Sequence, residues 1–173
     1  MVKPKGNICE KPFEIIDNQS KQYILLLLNA LNGKAVENKI NLMHMLFVIS
    51  LNVKSLKSEF NFESGYWGPE SEVVELNLET LLTENFIKKD KEGYSLDLLG
   101  INYLSICEFS DVDLELICDM KRLFSGLTPD EACAFTYFTF PESTCKSAIL
   151  DGIVKNRLNL ALSLYNKDKF SAG

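Results

Sequence analysis

Residues Trp67 to Leu104, "WGPESEVVELNLETLLTENFIKKDKEGYSLDLLGINYL", read as a turn, an amphipathic helix, a hairpin and a second helix in one run. Gly68 is conformationally permissive, and Pro69 presets φ at the first position of the helix. Val74, Leu78 and Leu81 recur at helical spacing with Leu82 beside them, so one face packs, and Asn85 can supply a left-handed stop. Phe86 to Lys89 and Tyr94 to Leu96 read as strands around "DKEG", and Asp97 can cap the helix that follows. That order is the grammar of a winged helix. In such a module the helix before the hairpin ordinarily reads DNA, yet this one carries Glu70, Glu72, Glu75, Glu79 and Glu84 and neither Lys nor Arg.

Upstream, a helix runs from Ser20 to about Leu31 and ends at Asn32-Gly33. Its run Tyr23 to Leu28, "YILLLL", needs cover on every face, which makes it central. A second helix over roughly Lys39 to Leu51 places Ile40, Met43, Leu46, Phe47 and Ser50 on one face, with Leu42, Met45 and Ile49 widening it. His44 falls on the narrower polar side, where a lone histidine reads as a surface or boundary residue. Phe60 and Phe62 alternate with Asn61 and Glu63 and suggest a short strand ending at Ser64-Gly65. Phe60, Phe62, Tyr66 and Trp67 together read as core beneath a helix, with stacking on a base or ring as the alternative.

Downstream the chain reads as helical. Ser110 caps a helix striped by Val112, Leu116, Ile117, Met120, Leu123 and Phe124, which ends at Gly126. Thr128, Pro129, Asp130 and Glu131 form a capping box with proline at the first helical position, opening a helix to about Phe138. Pro141 breaks it. A long last helix from Ser143 or Thr144 carries Ile149, Leu150, Ile153, Val154, Leu158, Ala161, Leu162 and Tyr165 on its apolar side, so it folds onto the module or dimerises.

The 173 residues are 46% hydrophobic and 24% charged, an ordinary globular composition that argues against disorder. A net charge of -6 gives the whole chain no pull toward nucleic acid or anionic membrane. Cys9, Cys107, Cys118, Cys133 and Cys145 are widely spaced with no CxxC pair, as expected of reduced thiols in a cytoplasmic protein. With His44 the single histidine, no zinc site is expected. No apolar run is long enough to span a bilayer and no cationic leader opens the chain, so a cytoplasmic location is expected.

Catalysis has no support in the residues. No nucleophile elbow or activated Ser, Cys or Lys with a neighbouring base is recognisable, and GxxxxGK[ST] is absent. Glu72, Glu75 and Glu79 lie on neighbouring turns and could pair as acid and base, but glutamates on one helix face read first as a solvated surface. For duplex binding the acidic helix is a liability. Each like-charge pair about 10 Å apart in water costs roughly 0.4 kcal/mol before screening. Lys88, Lys89 and Lys91 in the wing offer cations for phosphates, offset by Asp90 and Glu92. Lys54 with Lys57, and Lys121 with Arg122, read as ordinary solubilising charge.

The arrangement resembles a family of uncharacterised prokaryotic winged-helix proteins, the YwgA-like group, and more loosely the Panacea-type antitoxin domains. The resemblance spans roughly Tyr23 to Leu150. It rests on "ILLLLNALNGK", "LMHMLFVI", "WGPES" followed by Leu78, Leu81 and "NFI", "YSLDLLGINYL" and "LTPDEACAFTYFTFPESTCKSAI". It implies a winged module with appended helices and no established activity; regulators, antitoxins and adaptors all fit. Where similar proteins tend to carry basic residues in the second helix this chain has Asn41 and His44, and where they often have an aromatic after "GP" it has Glu70.

The expectation is therefore a mostly α fold with a small β-hairpin wing: a flexible arm over 1–16, a winged helix-turn-helix module over 17–109 and a helical extension over 110–173. Its expected function is regulatory or interactive and not enzymatic, through protein contacts at Glu70, Glu72, Glu75 and Glu79, without cofactor or metal. The alternative is a DNA-binding regulator using the arm and Lys88, Lys89 and Lys91, and a third reading is an aromatic small-molecule sensor around Trp67. The expected partner is a protein, or a second copy met through the C-terminal helices. DNA is disfavoured and no membrane is expected.

Overall fold

The apolar run Tyr23 to Leu28 is buried along its whole length, in helix α1 (Gln19–Gly33) of a computed structural model that describes residues 18–141. The expected arm and the expected last helix lie outside the described residues, as do Cys9 and Cys145. Asn18 caps α1 by accepting the Ser20 N–H at 2.9 Å. Helical geometry gives way at Ala30, and Leu31, Asn32 and Gly33 then take φ of 52°, 57° and 72°. The expected Asn-Gly stop is thus a three-residue left-handed turn that begins one residue earlier.

Helix α2 (Lys39–Asn52), capped by Asn38, buries every residue from Asn41 to Ser50. Helix α3 (Lys54–Phe60) follows and corrects the expected strand at Phe60 and Phe62. Leu56 and Phe60, one turn apart, are its buried face, and Asn61 in the left-handed region ends it. Strand β1 (Glu63–Gly65) pairs antiparallel with β2 (Gly68–Glu70), a second hairpin that sequence periodicity did not suggest because each strand has three residues. Pro69 sits in β2 opposite Ser64, not at the first helical position.

Helix α4 (Glu72–Thr83) is capped by Ser71, whose hydroxyl accepts the Val74 N–H and donates to the Phe60 carbonyl. That one side chain couples the end of α3 to the start of α4. Strands β3 (Ile87–Asp90) and β4 (Gly93–Leu96) form the wing, and Val36 bridges Tyr94 through two backbone hydrogen bonds of 2.9 Å. Helices α5 (Leu98–Leu104), α6 (Asp111–Phe124) and α7 (Pro129–Thr139) complete the described residues. The fold is mostly helical with a small β wing, in winged-helix order with added helices.

Helix α1 packs against α4, α5, α6 and β4, while α2 packs against α3, α6, α7 and β2. Ile117, Phe124, Leu127 and Ala132 lie in the same hydrophobic core as α1 and α2. Val112, expected on the packed stripe of α6, is 74% exposed because the stripe turns inward only from Leu116. The capping box at α7 is complete, with Glu131 Oε2 accepting the Thr128 N–H at 2.8 Å and Thr128 Oγ1 accepting the Glu131 N–H at 3.3 Å. Thr128→Ala should lower stability by about 1 kcal/mol in urea unfolding. An unchanged midpoint would show that this turn holds without its cap.

Candidate functional site

Three residues of helix α4 carry the acidic surface. Glu72, Glu75 and Glu79 recur at helical spacing on its exposed side, with Leu76, 62% exposed, among them. Glu72 and Glu75 also sit in the first turn, where carboxylates favour the positive end of the helix dipole. Glu70 is not on the helix, because Ser71 is the cap and Glu70 ends β2. Its carboxylate instead folds over the hairpin turn, accepting the Tyr66 N–H at 2.9 Å. A Cβ on Gly65 would lie 2.0 Å from the Glu70 carboxyl carbon, so only glycine at 65 leaves that carboxylate where it is.

Glu70 and Glu75 form a wall common to two depressions. On one side a cleft of about 400 Å³ is lined by Glu63, Glu70, Glu72 and Glu75 with Asn61 and Ser71. On the other a pocket of about 180 Å³ has Ile40, Met43, Trp67 and Pro69 against the same two carboxylates, with Lys39 and His44. Lys39 Nζ reaches Glu75 Oε1 at 2.6 Å, and each side chain remains about half exposed. The hydrogen bond that Lys39 donates to Glu75 holds its ammonium above the ordinary pKa despite some burial. Among the described residues, no group of three or more His, Cys, Asp or Glu side chains could hold a metal ion.

His44 is 1% exposed, which corrects its expected place at the surface. Apolar neighbours on every side of α2 bury whatever lies between them. Its Nε2 lies 2.9 Å from the Trp67 carbonyl and its Nδ1 2.6 Å from Thr136 Oγ1, while the ring stacks on Phe124. Burial pushes the imidazole down to about 4, against the opposing pull of the Trp67 carbonyl. The neutral ring therefore donates Nε2–H to Trp67, the only role a carbonyl permits, which leaves Nδ1 to accept the one Thr136 hydroxyl proton in competition with the Ala132 carbonyl 3.0 Å away. One side chain thus joins α2, α7 and the turn that carries Trp67.

Asn41, one turn earlier, does the same for α6. Its Nδ2 donates to the Leu127 carbonyl at 2.6 Å and, more weakly, to that of Phe124 at 3.4 Å. Lys121 corrects the reading of solubilising charge: it is fully buried, with Nζ donating to the Leu28 and Ala30 carbonyls at 2.8 and 2.9 Å. Burial lowers its pKa to about 8. At the carbonyl end of α1 an ammonium meets the negative end of the helix dipole. Two polar residues one turn apart among the apolar residues from Ile40 to Ile49 were the available signal for the first pair; nothing marked Lys121 in the sequence.

The aromatic cluster divides. Phe60 is buried and Phe62 half-buried against Phe47, whereas Tyr66 is exposed and Trp67 is half-buried on the pocket. In the wing, Lys88 and Lys89 pair opposite Ser95 and Tyr94 and so point to opposite sides of the ladder. Lys89 Nζ lies 4.9 Å from the centre of the Tyr94 ring. Lys91 shares a shallow depression with Lys34, but Glu37 and Glu92 line it too. The fold therefore brings the acidic residues together and leaves the wing cations divided or balanced. Cys107 and Cys118 are half-buried and Cys133 is buried. No described helix is long and apolar enough to cross a membrane. The chain matches no protein-family model, no curated protein and no solved structure.

Proposed function

We propose that this protein is a non-catalytic regulatory or interaction module that docks a basic protein partner on the exposed face of α4 and the adjoining cleft. The observation that carries this reading is the stripe of Glu72, Glu75 and Glu79 around exposed Leu76 on a helix with no Lys or Arg. Opposed charges steer the partner and set its register, while Leu76 offers apolar area. The resemblance to YwgA-like proteins implies no established activity, and a regulator, an antitoxin or an adaptor would each fit it. DNA is the weaker partner, because α4 would bring three carboxylates toward phosphates and the wing cations do not share one face.

Fluorescence anisotropy tests it at about 50 and about 200 mM salt, the range in which phosphate contacts reveal themselves. A labelled peptide of alternating glycine and arginine should bind and weaken with salt, and mixed-sequence duplex DNA should bind at neither. Micromolar or tighter duplex binding that collapses with salt would overturn the proposal in favour of a DNA-binding regulator.

A further inference from the structure

The pocket beside the acidic face has the chemistry of a receptor for one long cationic side chain. Among its lining residues Ile40, Met43 and Pro69 suit a run of methylene groups, Trp67 is an aromatic residue of the kind that attracts cations, and Glu70 and Glu75 supply two carboxylates. A volume of about 180 Å³ is the scale of a single side chain, too small for a cofactor. The chain already places such a cation at its edge: Lys39, on α2, with its ammonium 2.6 Å from Glu75.

Resting on the proposed docking of a basic partner, we infer that this pocket captures an arginine or lysine side chain of that partner, and that Lys39 is the internal occupant it must displace from Glu75. Glu70 is the second carboxylate, placed over the hairpin by its bond from the Tyr66 N–H and by the absence of a side chain at Gly65. The Lys39–Glu75 pair is half exposed, so breaking it disturbs the fold little and leaves Glu75 to the incoming cation. His44 acts as a positioning residue here, holding the Trp67 carbonyl through Nε2.

The test uses the full chain and the glycine-arginine peptide, read by anisotropy and by the fluorescence of Trp67, the single tryptophan of the sequence. Lys39→Met should bind about fivefold tighter than Lys88→Met, which makes the same change of net charge at the wing. Glu70→Gln with Glu75→Gln should lose about tenfold or more, whereas Glu108→Gln with Glu115→Gln, the same change of net charge at exposed carboxylates outside both α4 and the pocket, should stay within about twofold of the wild type. Trp67 emission should shift on saturation; binding by Lys39→Met alone would be the extreme form of the same result. Equal affinity for Lys39→Met and Lys88→Met, or binding that leaves Trp67 emission unmoved, would overturn the pocket while leaving the acidic docking face in place. Failure of wild type and every variant to bind the peptide would instead overturn the docking reading, and this inference with it.

Discussion

Gly93→Ala should lower stability by about 3 kcal/mol or more in urea unfolding, from backbone strain and two threatened hydrogen bonds. Gly93 has φ of 117°, a region closed to ordinary side chains, and an added Cβ would lie 2.1 Å from the Val36 carbonyl oxygen and 2.6 Å from Glu37 Cα. Neither neighbour is a flexible side-chain tip. Val36 is held to Tyr94 by reciprocal backbone bonds, so the methyl cannot be accommodated without lifting that segment from the wing. Gly33→Ala is the control: φ there is 72° with nothing within 4 Å of the added carbon, so only the left-handed penalty of roughly 1–2 kcal/mol applies. Equal losses at the two positions would mean that the Val36 segment does not press on the wing.

Stability should also fall by about 3 kcal/mol as pH drops from 6.5 to 4, through His44 alone. The unfolded chain takes up this proton near 6.5, the folded protein only near 4, where burial opposes the charge. Between those values the unfolded state binds more protons, so acid favours it; below 4 both states are protonated and the loss is complete. Lys121 acts in the same sense at the other end: the folded state releases its proton near 8 and the unfolded state near 10.5, so stability rises with pH across that window. Tyr23, pushed up to about 12 by burial and then by its hydrogen bond to Asp113, opposes that rise from pH 10 upward. Since the sequence has one histidine, a single imidazole resonance reports the acid limb directly. A His44→Gln variant should lose the His44 contribution between pH 4 and 6.5, and an imidazole titrating near 6.5 in the folded protein would contradict the buried network.

What was legible in the sequence was local. The wing, the caps at Ser110 and Thr128 and the buried run of α1 all follow from spacing and capping chemistry within a few residues. The first hairpin escaped because each strand has three residues, fewer than any periodicity can register, and it displaced Pro69 and Glu70 from the helix they were assigned to. Helix α3 escaped because Phe60 and Phe62 alternate like a strand although Leu56 and Phe60 share a helical face. His44 and Lys121 were misread, and Asn41 was given no bonding role, for one reason: their partners are carbonyls and a hydroxyl distant in sequence, and only the tertiary fold reveals that a polar group has somewhere to bond. The acidic face of α4 was legible; its division into a cleft and an apolar pocket depends on the hairpin and was not.

The three buried polar anchors also impose an order in time. Asn41 waits for Leu127, His44 for Thr136, and the end of α1 for Lys121, separations of 86, 92 and 93 residues. At the roughly 5–20 residues per second of protein synthesis, each interval lasts about 5 to 20 s. Throughout it, α1 and α2 already exist as chain, with the apolar length of Tyr23–Leu28 and Met45–Ile49 uncovered by α6 and α7. The nascent protein therefore carries its stickiest segments first and the residues that lock them last, which makes the stretch of translation between Asn52 and Thr136 the period of greatest exposure to chaperones and to aggregation.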